Sequence, residues 1–131
     1  MVTARRRSGL TNEVFFEGGH TILADEPESA GGSDEGPNPV EILAASLASC
    51  TAITVEMYAD RKDWDLGEFQ VDVEASGEGI VPERFEVTLR LGCELDDDQL
   101  ERLREIAAKC PVHRALSAGS EVAIGDHVER V

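Results

Sequence analysis

The segment NPVEILAASLASCTAITVEMYADR, residues 38–61, limits the folds open to this chain more than any other. Asn38 can cap a helix, and Pro39 in the first turn lacks only an N–H that no helix would have paired. Ile42, Leu43, Leu47, Cys50, Ile53, Thr54 and Met57 recur at steps of three and four, with Ala44, Ala45, Ser46, Ala48, Ser49 and Ala52 filling the faces between. The pattern predicts one long helix from about Pro39 to Arg61, buried on most sides, whose small residues let neighbours approach closely. The rest of the chain must be built to cover it.

Upstream, Glu13–Glu17 and His20–Ala24 have strand character and are joined by Gly18-Gly19, a hairpin signal. A Gly, Pro, Ser and acid-rich stretch, DEPESAGGSDEGPNP, then reads as a surface loop leading into the helix. Downstream, Phe69, Val71, Val73 and Ala75 alternate with polar residues, as do Phe85, Val87, Leu89, Leu91, Cys93 and Leu95. Gly77, Gly79 and Pro82 put a turn between these two strands, which predicts an antiparallel pair with Cys93 on its core face. Asp96 offers an N-cap with Gln99 three residues on, so a second helix begins there. Leu100, Leu103, Ile106, Ala107 and Cys110 share its apolar face, and Pro111 ends it. Glu121–Ile124 reads as one more strand.

At 131 residues the chain suits a single domain spanning residues 1–131. Its formal net charge of −15 would repel phosphate backbones, which argues against nucleic-acid binding despite the run Arg5, Arg6, Arg7. Lys62 and Lys109 are its only lysines, and so acidic a surface suits the cytoplasm of a salt-loving organism, where salt screens the self-repulsion. No unbroken apolar run approaches a membrane span, and MVTARRRSGLTNEV lacks the apolar core of an export signal. A soluble cytoplasmic protein is expected. Three cysteines are too few for a disulfide scaffold, so a catalytic or sensing disulfide fits better than a structural one.

Two cysteines carry the chemistry. Cys50, mid-helix among Ile, Leu and Ala, is either a small hydrophobe or a reactive thiol, with the hydroxyls of Ser49 and Thr51 close by. Cys110 precedes Pro-Val-His-Arg, where a second helical segment can restart. There it would cap the segment and feel its dipole, with His113 and Arg114 adding positive or hydrogen-bonding character, or it would cap a turn without any reactivity. Zinc on Cys110, His113, Cys50 and His20 is a weaker reading, because no second close-spaced ligand pair accompanies the first, and no metal or other cofactor is expected. His127 reads as a surface residue. Glu41 either favours the helix dipole or holds an arginine against the thiol.

The ordered set GHTILADEP, GGSDEGPNPVEILAASLASC, TAITVEMYADRKDW and IAAKCPVHRAL resembles the OsmC/Ohr superfamily in its smaller OsmC-like branch, from about Gly19 to Leu116. The resemblance implies an α+β fold with two central helices packed against antiparallel sheets, assembled as an intertwined homodimer with active sites at the subunit interface. It also implies reduction of organic hydroperoxides in oxidative stress defence. Cys50 would be the peroxidatic cysteine, forming a sulfenic acid, and Cys110 the resolving one, with the disulfide re-reduced by a dithiol. An alternative is a non-catalytic dimeric module binding an apolar or thiol-containing metabolite in the same pocket. In the family's peroxidases a Glu directly follows the Asn-Pro of the helix start. Here Val40 stands in that place and Glu41 comes one residue later, a rotation of about 100°. The family's activating arginine lies in an N-terminal strand, which leaves Arg5, Arg6 and Arg7 as candidates, Arg7 foremost, with Arg114 as a substitute cation.

Overall fold

A computed structural model describes residues 1–130 of the chain as β1 (Val2–Ser8), β2 (Thr11–Phe16), β3 (Thr21–Ala24), α1 (Pro39–Arg61), β4 (Phe69–Ser76), β5 (Arg84–Leu91), α2 (Asp97–Ala107) and α3 (Pro111–Leu116). The chain groups into two compact units. One holds Met1–Ser46 and Val73–Glu86; the other holds Leu47–Asp72 and the chain from Val87 onward.

In the first unit β1, β2 and β3 form an antiparallel sheet in that order, with β2 central. The hairpin of β2 and β3 turns at the predicted Gly18-Gly19, where Gly19 takes a φ of 87°. β1 carries no strand pattern of its own, and only the family resemblance implied an N-terminal strand around Arg5, Arg6 and Arg7. Every residue of it is exposed, so its sequence, VTARRRS, shows no buried face to betray a strand. The loop after β3 is organised by one carboxylate. Asp25, only 2% exposed, accepts hydrogen bonds from the Thr11 hydroxyl at 2.7 Å and from the backbone N–H groups of Glu26 at 2.8 Å, Ser33 at 3.4 Å and Glu35 at 3.2 Å. Its own N–H donates to the carbonyl of Pro37, one residue before the cap of α1.

The Thr11 hydroxyl, followed by these amides, holds the Asp25 carboxyl below its ordinary range. A depressed carboxyl stabilises the folded state at neutral pH, and that contribution disappears as pH falls through its folded value. Acidification into that range is therefore expected to release the loop between Glu26 and Pro37, seen as faster amide exchange at Ser33 and Glu35. Asp25→Asn, uncharged at every pH, is expected to flatten the acid dependence.

The second unit is built on α1 from Leu47 onward, α2, α3 and the parts of β4 and β5 up to Asp72 and from Val87. Val55, Tyr58 and Ala59 of α1 meet Leu103, Ile106 and Ala107 of α2 around Leu66, and Trp64, Phe69, Leu89, Leu91 and Leu95 pack against this cluster. Tyr58 and Trp64 meet edge to face with centroids 5.6 Å apart. The start of α2 is the predicted capping box: Asp96 accepts from the Gln99 N–H at 2.8 Å, and the Gln99 side chain accepts from the Asp96 N–H at 3.0 Å.

Four expectations need correction. First, α1 is not buried on most sides of a single chain. Leu47, Thr51, Val55, Tyr58 and Ala59 form one narrow buried line, while Ile53 and Met57 are 60% and 62% exposed. Second, β5 ends at Leu91, so Cys93 lies half-buried in a bend beyond it. The backbone segments flanking the strand pair approach closely there: Gly92 donates to the Glu68 carbonyl at 2.7 Å, and a Cβ on Gly67, at φ 64°, would stand 2.6 Å from the Gly92 oxygen. Third, Glu121–Ile124 is not a strand and is exposed, having no partner strand to pair with among the described residues. Fourth, α1 is long and apolar enough to cross a membrane by length and composition, with a mean hydropathy of 1.5, because averaging tolerates the Ser and Thr that break its apolar run. Its Val55 and Ala59 are nonetheless fully buried against other parts of the chain.

Candidate thiol site

Cys50 and Cys110 both lie in the second unit, and the fold brings them together. The second helix stops at Ala107, three residues short of the expected end, because Pro111 restarts the chain as α3. Cys110 is the N-cap of that short helix, extended at φ −63° and ψ 143°. Its Sγ accepts the N–H of His113 at 3.2 Å, and its carbonyl accepts the N–H of Arg114 at 3.1 Å. The capping position predicted from Cys-Pro-x-His is therefore occupied by the sulfur itself.

Cys110 has no solvent exposure, and Thr51, one residue after Cys50 on α1, is equally buried. The Thr51 hydroxyl lies 3.7 Å from Cys110 Sγ. Cys50 is half-buried and near enough to influence the Cys110 thiol, and both thiols are free. Burial pushes the Cys110 thiol above its ordinary range. The His113 N–H and the Thr51 hydroxyl oppose this, and the neighbouring Cys50 adds to it. A protected thiol thus stands beside a more accessible one, an arrangement able to pass between dithiol and disulfide.

The other candidates fall in different places. Glu41 completes a capping box at the start of α1: its N–H donates to Asn38 Oδ1 at 2.9 Å, and its carboxylate accepts the Asn38 N–H at 3.0 Å. That is the dipole-favouring role. It places Glu41, with Glu35, at the edge of a cleft of about 390 Å³ whose apolar wall is Ile22, Leu23, Pro37, Ile42 and Ala45. Arg7, at the end of β1, lines a cleft of about 230 Å³ with Thr11, Ser33 and Glu35. Arg5 stacks over Phe15 with its guanidinium 5.2 Å from the ring centroid. Arg114 borders a shallow groove with Pro111 and Gly119. The His113 ring turns to Ser117, with its Nδ1 3.2 Å from Ser117 Oγ. Among the described residues no three His, Cys, Asp or Glu side chains gather as metal ligands.

Thr51 is the site residue whose partner the sequence did not reveal. Its hydroxyl was visible beside Cys50, yet a neighbour in a helix points about 100° away, toward whatever packs on the next face. Only the fold shows that Cys110 is there.

These features define an α+β protein with a paired, unbridged dithiol at a helix restart. The family model described as OsmC-like protein matches residues 32–125, which is most of the chain and includes both cysteines, and the chain belongs to that family. No curated protein matches it by sequence. Among solved structures, an OsmC like protein from Mycoplasma pneumoniae superposes with a TM-score of 0.78 at 16% identity, covering 92% of this chain and 88% of that one. An organic hydroperoxide resistance protein OsmC from Legionella pneumophila gives 0.66 at 22%, covering 92% and 89%. The organic hydroperoxide resistance protein OhrB of Bacillus subtilis gives 0.58 at 22%, covering 91% and 90%. At these identities the likeness establishes the fold.

Proposed function

We propose that the protein is a cytoplasmic thiol peroxidase that reduces organic hydroperoxides through Cys50 and Cys110. The observation that carries this reading is a half-buried Cys50 beside a fully buried Cys110 whose sulfur lies 3.7 Å from the hydroxyl of Thr51, the residue after Cys50. The Cys50 thiolate attacks the outer peroxide oxygen, forming an S–O bond as the O–O bond breaks, and the departing alkoxide takes up the proton the Cys50 thiol released and leaves as the alcohol. The Cys110 sulfur then attacks the Cys50 sulfenic acid, an S–S bond replaces the S–O bond, and water leaves. A dithiol reductant restores both thiols by exchange. The OsmC-like family and the names of the Legionella and Bacillus structures support organic hydroperoxides as the substrate class.

The active form in this reading is a homodimer, because Ile53 and Met57 present apolar surface on the helix that carries Cys50. Sedimentation at the monomer mass would remove that part of it. The chemistry is tested by treating reduced protein with one equivalent of cumene hydroperoxide, followed by mass analysis without reductant. A Cys50–Cys110 linkage with loss of two hydrogens is expected. Unchanged thiols would sink the peroxidase and favour a module that only binds an apolar or thiol-containing metabolite.

A further inference from the structure

Thr51 has a hydroxyl with no access to water, so it needs a protein partner. Helical threonines ordinarily bond back to the carbonyl of the preceding turn, as Ser46 does here to Leu43 at 2.7 Å. The Thr51 hydroxyl meets the sulfur of Cys110, 59 residues away in sequence, at 3.7 Å. The sulfur in turn receives the His113 N–H from the opposite element. Thr51 is adjacent to Cys50, so the contact that secures Cys110 to α1 also fixes it one helical step from the thiol it faces.

We propose that Thr51 is the positioning residue for Cys110: its hydroxyl accepts the thiol proton in the resting state and reverses to donate to the sulfur as the thiolate forms. A hydroxyl can play both parts by rotating about one bond, which a backbone N–H cannot. The inference builds on the peroxidase reading for its role in turnover. There, attack by Cys110 on the Cys50 sulfenic acid forms the S–S bond and expels hydroxide, which the proton lost from the Cys110 thiol converts to water. Thr51 is neither consumed nor ionised. Charge develops on a buried sulfur during this step, and a hydrogen bond to a charged group is the kind that matters most in such surroundings. The titratable group facing Cys110 from α1 is Cys50. From α3 the facing group is the backbone N–H of His113, whose ring is engaged with Ser117.

The test compares Thr51→Val, which keeps the shape, with Thr51→Ser, which keeps the hydroxyl, and uses Thr51→Ala should the valine fail to fold. Each is made with Cys50→Ser and Cys93→Ser, so that thiolate absorbance on alkaline titration reports Cys110 alone. A Cys110 pKa raised by about one unit in the valine or alanine variant and restored by serine is expected, a tenfold change in the thiolate equilibrium. An unchanged titration overturns the inference, and this readout does not depend on peroxidase activity. In the chain with all cysteines present, the same variants are expected to slow disulfide closure about tenfold while leaving sulfenic acid formation at Cys50 unaltered. Equal slowing of both steps would also overturn it. Failure of Cys50 to oxidise at all in the unmodified protein would instead count against the peroxidase.

Discussion

Cys50→Ser is expected to abolish peroxide-driven disulfide formation and to lower hydroperoxide consumption on the order of a thousandfold or more, the scale of losing an enzyme's nucleophile. Cys110→Ser should behave differently. It leaves the attacking thiol in place, so one equivalent of peroxide is consumed and the protein stops as a sulfenic acid, trapped by dimedone at Cys50. The contrast matters because both variants lose steady-state turnover, and only the single-turnover measurement assigns unequal roles. Stopped-flow consumption of cumene hydroperoxide checks it. A Cys50→Ser protein as fast as the parent would end the assignment.

The raised Cys110 thiol adds a pH signature to the same experiment. Resolution needs the thiolate, so its rate should climb with pH beyond the ordinary thiol range before levelling. Stability runs the other way. A group whose folded pKa is raised stabilises the fold below its unfolded pKa and loses that contribution as pH rises through the folded value. Reduced protein should therefore lose stability at alkaline pH relative to the disulfide form, in which Cys110 no longer titrates. Paired denaturant melts of the two redox forms across that range measure the difference.

Much of the fold was legible because its elements announce themselves locally. Asn38-Pro39 and Asp96 with Gln99 fix the starts of the two long helices, and the alternation from Phe69 to Ser76 marks β4 without help from the rest of the chain. What failed depended on contacts. Apolar period placed Ile53 and Met57 on a buried stripe, whereas the line that packs within one chain runs through Leu47, Thr51 and Val55, offset around the same helix. Thr51 is polar, so hydropathy discounts a residue that is as fully buried as Val55 and Ala59. β1 has no buried side to print a pattern, and the close approach of Gly67 to Gly92 just past the end of β5 is encoded in no single strand. For the site, Cys-Pro-x-His revealed the cap at Cys110 because a proline in the first turn and a preceding acceptor form a local signal. The approach of Cys110 to Cys50 was carried only by family resemblance. No property of either segment alone specifies which face of α1 receives α3.

Leu103 offers the largest expected effect on stability, and the reason lies in that shared packing. It is among the largest side chains buried below 2% exposure and stands in the cluster where α2 meets Val55, Tyr58 and Ala59 of α1. Leu103→Ala removes apolar contacts and leaves a cavity that two helices and a strand pair cannot readily collapse, an expected loss of about 2–5 kcal/mol. Leu103→Met keeps the volume and should cost less than about 1.5 kcal/mol. For a chain of this size the alanine variant should melt roughly 10 °C lower, measured on reduced protein so that disulfide closure does not mask it. The consequence reaches the thiols. α2 leads through a short turn to Cys110, so loosening its contact with α1 should raise the entropy of the sulfur that has to meet Cys50. Disulfide closure should slow in Leu103→Ala while sulfenic acid formation holds its rate. A variant that loses stability yet closes the disulfide at the parent rate would show that the cap of α3 and its contact with Thr51, rather than the α1–α2 core, hold Cys110 in place.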